Sequence, residues 1–122
     1  MLKLMVLAFL VFAGPALAQE AMTGDELEAL LGDDRTIGLG GPGAGYAGEL
    51  SLKSDGTATG SAKTDAGKVI QLDGVWYIEG GKFCRTWKAV DDGKEVCETW
   101  VKDGDNKVRV LVDGKEIGVN HW

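Results

Sequence analysis

Two cysteines each open the same tetrapeptide pattern, Cys84-Arg85-Thr86-Trp87 and Cys97-Glu98-Thr99-Trp100. Thiols at such a spacing could hold a metal, cycle between thiol and disulfide, or staple two strands. Zinc asks for more ligands than two thiolates and one remote His121, and a redox pair favours C-x-x-C or surroundings that stabilise a thiolate. His121, next to the C-terminal Trp122, reads as a residue of a terminal strand. The charged residues inside the two tetrapeptides offer different chemistry. In extended chain, Phe83, Arg85 and Trp87 share one face, Val96, Glu98 and Trp100 share another, and each cysteine points away from its own tryptophan. Trp76, Phe83, Arg85, Trp87, Glu98 and Trp100 are therefore the candidate walls of a ligand cavity. The plainer alternative makes the rings ordinary core, with Arg85 and Glu98 paired at a solvated rim.

Other chemistry-bearing patterns fall away. Gly38, Gly40 and Gly43 spell G-x-G-x-x-G, but a polar stretch precedes them and Pro42 with further glycines follows. The strand-to-helix context that aims backbone N–H groups at a pyrophosphate is missing. One histidine leaves no Ser/His/Asp or Cys/His set, and many of the carboxylates sit in Asp-Gly turns, where they serve conformation. No catalytic residue, cofactor site or metal ligand is assigned.

The elements that must position these residues are mostly strands. Thr23-Gly24-Asp25-Glu26 has capping-box spacing, Leu27, Leu30 and Leu31 follow on one helical face, and Gly32 ends a short helix over residues 25–31. A Gly-rich linker is expected through residue 45. Beyond it, Asp-Gly recurs at 55–56, 73–74, 92–93, 103–104 and 113–114, a dipeptide that tolerates the backbone of tight hairpins. Period-two alternation predicts about seven strands, at 46–52, 57–62, 68–78, 82–90, 94–102, 107–112 and 115–121. In the third of these, Ile70, Leu72, Gly74, Trp76 and Ile78 keep one parity, so Gly74 is expected to be a bend or bulge inside one long strand. In the last, Ile117 and Val119 are expected to oppose Glu116 and Asn120. The fold class is mainly all-β: an antiparallel meander forming a small barrel or half-barrel, with one N-terminal helix that could plug an end.

Register decides the fate of the cysteines. A hairpin turning on Asp92-Gly93 alone sets Cys84 opposite Val101 and Cys97 opposite Lys88, with the thiols ~13 Å apart along the strands. A looser loop over residues 89–92 sets Cys84 against Cys97, and only this register permits a bridge.

The N-terminus bears on that choice. Lys3, an apolar block over residues 4–13, Gly14-Pro15 and Ala16-Leu17-Ala18 describe a secretory signal peptide over residues 1–18, with a block too short for a bilayer span. Export favours a disulfide. The chain of 122 residues has 19 acidic and 13 basic side chains, an excess that argues against nucleic acid and anionic membranes as partners. The expected organisation is residues 1–18 as signal peptide, 19–45 as helix and linker, and 46–122 as the β domain.

Asp55-Gly56-Thr57, Gly74-x-Trp76, Cys84-x-x-Trp87, Gly93-Lys94 and Cys97 together resemble small exported bacterial β proteins of uncharacterised families, with a lipocalin-like look. The resemblance spans residues 46–102. It implies a periplasmic or secreted single-domain protein with Cys84 bridged to Cys97, and no known chemistry. The expected function is non-enzymatic binding of a partner protein or small ligand. The alternatives are an enzyme or ligand calyx using Arg85 and Glu98, and an inhibitor of a lysozyme or secreted protease.

Overall fold

The structure, a computed structural model, describes residues 20–122. The expected signal peptide lies outside the described residues. The chain order is one helix, α1 (Gly24–Leu31), then β1 (Arg35–Gly40), β2 (Tyr46–Leu52), β3 (Thr57–Thr64), β4 (Val69–Glu79), β5 (Lys82–Trp87), β6 (Glu95–Lys102), β7 (Lys107–Val112) and β8 (Lys115–His121). Each strand pairs antiparallel with the next, and β8 returns to β1 through Gly38 opposite His121 and Leu39 opposite Asn120, closing a barrel. Closure leaves neither terminal strand as a wholly free sheet edge.

The expected meander is present with eight strands instead of about seven. The additional strand is β1, formed from residues read in the sequence as linker. Ile37 and Leu39 point inward and are buried, while the outward Gly38 has no side chain and lets the His121 imidazole lie against its backbone. The Gly-rich turn is confined to residues 41–45, with positive φ at Gly41, Gly43 and Gly45.

Two other expectations about strand geometry are corrected. Gly74 lies in one long strand as expected, but β4 keeps an unbroken register past it against both β3 and β5. A Cβ there would collide with the Thr86 carbonyl, so the glycine answers a close backbone approach and not a bulge. The irregularity sits instead between β7 and β8, where Val110 pairs with Gly118 and Leu111 with Glu116. Ile117 is the extra residue. It reverses the expected parity of β8: Asn120 opposes inward Val108 and is buried, while Ile117 is half exposed.

The helix forms where the capping box places it. Glu26 N–H donates to Thr23 Oγ1 at 3.1 Å and Thr23 N–H to Glu26 Oε1 at 2.9 Å. Leu27 and Leu31 are fully buried in the core, with Phe83, Trp76 and Trp100. On one side of β6, pairing with β5 stops at Glu98, and residues 20–22 take up the strand beyond it: Met22 N–H donates to the Trp100 carbonyl and Lys102 N–H to the Glu20 carbonyl. Lys102 Nζ, 2.6 Å from Glu26, ties the helix to the same strand. The helix thus closes the end of the barrel that holds the β4–β5 turn. The opposite end carries the loops at residues 41–45, 65–68, 88–94 and 113–114.

Among the described residues no helix is long and apolar enough to cross a membrane.

Candidate functional site

Pairing of β5 with β6 sets Phe83 opposite Glu98, Cys84 opposite Cys97 and Arg85 opposite Val96. This is the bridge-permitting register, and the disulfide Cys84–Cys97 is formed with 3.9 Å between Cα atoms. The two cysteines face away from the barrel interior, and Tyr77 of β4 lies directly across from Cys84. The loop joining β5 to β6 is longer than a tight turn. It carries a single 3-10 turn at Asp91–Gly93, with positive φ at Asp91, Asp92 and Gly93 in succession. Aspartate tolerates that region better than most side chains, although at some cost.

On the inner face, the six candidate residues divide into two groups. Trp76 stacks on Phe83 with ring centroids 5.8 Å apart, and Phe83 tilts against Trp100 at 5.1 Å. Trp76 Nε1–H reaches the Lys53 carbonyl at 3.0 Å and the Thr57 carbonyl at 3.2 Å, which fixes its ring under the β2–β3 turn. Trp76 and Trp100 belong to the packed half, beneath the helix. Phe83, Arg85, Trp87 and Glu98 line a cavity of about 290 Å³ in the other half.

The cavity follows from side-chain size. Inward positions on β3 are Ala58, Gly60 and Ala62, the register adds Gly48 from β2, and the bulge turns Gly118 inward from β8. A wall built of glycine and alanine cannot reach the aromatic wall of β5. Leu39, Leu50, Leu72 and Val110 complete an apolar lining, with half-exposed Ile117 at its loop-end margin. Tyr46 reaches over the bare Gly118 and its Oη accepts from Val119 N–H at 3.0 Å, tying β2 to β8 beside the cavity.

Among the described residues, Arg85 is the only cation in the cavity lining. It is 6% exposed and Glu98 7% exposed, so the pair is buried and not at a solvated rim. Arg85 Nε–H donates to Glu98 Oε2 at 2.8 Å, and its Nη1 donates to Asp91 Oδ2 at 2.6 Å. The guanidinium also lies 5.8 Å from the centre of the Trp87 ring. The other Glu98 oxygen accepts from Trp100 Nε1–H at 2.9 Å. Burial pushes the Glu98 carboxyl above the ordinary carboxylate range, with the Arg85 charge and the two hydrogen bonds drawing it part of the way back.

Sequence reasoning missed Asp91, Leu39, Ala62 and Asn120. Asp91 was hidden by its place in a turn, and Leu39 by the glycines around it. The inward Asn120 depends on the bulge, which has no marker in the strand's alternation. Among the described residues there is no group of three or more His, Cys, Asp or Glu side chains that could hold a metal ion.

No protein-family model, curated protein or solved structure matches this chain.

Proposed function

We propose that this is a non-enzymatic exported binding protein that takes a small, largely apolar ligand into the loop end of the barrel. The observation that carries the reading is the cavity itself: about 290 Å³, with apolar walls and a buried polar cluster at one side. That volume lies at the lower edge of the roughly 300–1,000 Å³ usual for small-molecule sites, which share this mix of apolar wall and few polar groups. The formed disulfide fits an oxidising compartment, as does the resemblance to small exported bacterial β proteins.

Catalysis by Arg85 and Glu98 is less well supported. A general acid or base needs an oxygen or proton within reach of substrate, whereas each Glu98 oxygen already accepts a hydrogen bond from a buried donor.

The test uses N-phenyl-1-naphthylamine, an uncharged aromatic probe whose fluorescence rises in apolar surroundings. The parent protein should bind it saturably. Ala62→Leu extends a side chain from the small-residue wall into the void and should abolish saturable binding while leaving thermal stability equal or higher, since added methylenes find empty space. Equal probe binding by parent and variant would place the probe elsewhere and sink the reading.

A further inference from the structure

We infer that the cavity selects uncharged ligands carrying one hydrogen-bonding group and rejects anions, with Arg85, Glu98 and Asp91 acting together as the filter. This rests on the binding reading above and adds a ligand class to it.

An interior arginine in an apolar cavity would ordinarily suggest a carboxylate or sulfonate ligand, because the guanidinium pairs with anions in a fixed geometry. Here that role is taken. Glu98 holds Nε at 2.8 Å from inside the barrel and Asp91 holds Nη1 at 2.6 Å from the rim loop. One cation already faces two carboxylates. An anionic ligand would lose its water and meet a site with no uncompensated positive charge, the unfavourable case for a buried ion. Exposed lysines on the rim loops remain in water and are screened, so they offer little to an anion inside.

A second observation specifies what the cavity does offer. Asn120 lines it, is 7% exposed, and turns a side-chain amide with both a donor and an acceptor toward the cavity. Its amide atoms are not among the sealed, unsatisfied ones, so they are open to the cavity and can exchange water for a ligand's hydrogen bond. Arg85 likewise commits only Nε–H and one Nη1–H of its five N–H donors to the carboxylates. An uncharged hydroxyl, carbonyl, ether or amine can satisfy these groups without adding charge.

N-phenyl-1-naphthylamine and 8-anilino-1-naphthalenesulfonate provide the comparison, because they share a ring skeleton and differ by one sulfonate. Fluorescence titration of the purified parent should show the uncharged probe binding roughly tenfold or more tightly than the sulfonate. Asp91→Asn removes one carboxylate from Arg85 and should raise the sulfonate's affinity severalfold relative to that of the uncharged probe measured on the same variant. Comparable or tighter binding of the sulfonate by the parent would overturn the filter while leaving the cavity as a binding site. A ratio of sulfonate to uncharged-probe affinity unaffected by Asp91→Asn would also overturn it. If the parent binds neither probe, the binding reading itself fails, and the inference with it.

Discussion

Glu98 is held from two sides, by Arg85 on one oxygen and Trp100 on the other, in surroundings that penalise its charge. A carboxyl whose folded pKa lies above its unfolded value keeps its proton more readily in the native state. Its contribution to stability is complete below the ordinary carboxylate range and is lost as pH rises through the raised folded value. Glu98→Gln cannot ionise and lacks that loss. The stability of the Gln variant relative to the parent should therefore increase as pH rises from the acid side through that value, read by urea denaturation across a pH series. A difference that stays flat from acid to neutral pH would count against a raised pKa. At this scale the sequence was informative about which residues meet: the parity of Phe83, Arg85 and Trp87 against Val96, Glu98 and Trp100 placed one charge from each strand on the inner face. It could not reveal Asp91 as the third member, because an aspartate before Asp-Gly is what a turn ordinarily contains, and its partner lies six residues back across the loop.

Among the elements, the β5–β6 hairpin does two jobs on two faces. Its inner face supplies Phe83, Arg85, Trp87 and Glu98 to the cavity, and its outer face carries the disulfide. Replacing both cysteines by serine should lower stability by about 3 kcal/mol, the loop entropy restored to the unfolded chain, yet leave binding of the uncharged probe intact because neither sulfur faces the interior. Denaturation and fluorescence titration on the same double variant separate the two effects, and loss of both together would mean that the bridge sets the shape of the cavity. The long strand β4 and the capped helix were readable because alternation and the capping box are strong local signals. Strand β1 was not readable: in Ile37-Gly38-Leu39-Gly40 the outward positions are glycine, so the apolar-polar alternation that marks a strand is absent. Its extended form is imposed by neighbours on both sides, β2 and β8.

At the scale of the whole molecule, the barrel is packed at the helix end and hollow at the loop end. The division follows the distribution of large and small inward side chains. Tryptophans and leucines meet beneath α1, whereas alanines and glycines of β2, β3 and β8 face the aromatic wall across a gap. The sequence reading foresaw a meander curled into a small barrel or half-barrel with a helix plug, and what it did not show was the strand through which the barrel closes, β1, which glycine disguised. Closure has a weak line. Every other junction joins strands that are consecutive in the chain, while β1 and β8 meet only at Gly38 with His121 and Leu39 with Asn120. Parting those two pairs, with the Tyr46 Oη–Val119 hydrogen bond beside them, would open the sheet without undoing a single hairpin. The backbone amides along this line should lose hydrogen-exchange protection well before those of β3 and β4, and an order reversed from that would show the seam to be reinforced. A barrel that can unroll along one line has a door in its side as well as a mouth at its end, and the residues nearest that door, Leu39 and Asn120, already belong to the wall of the cavity.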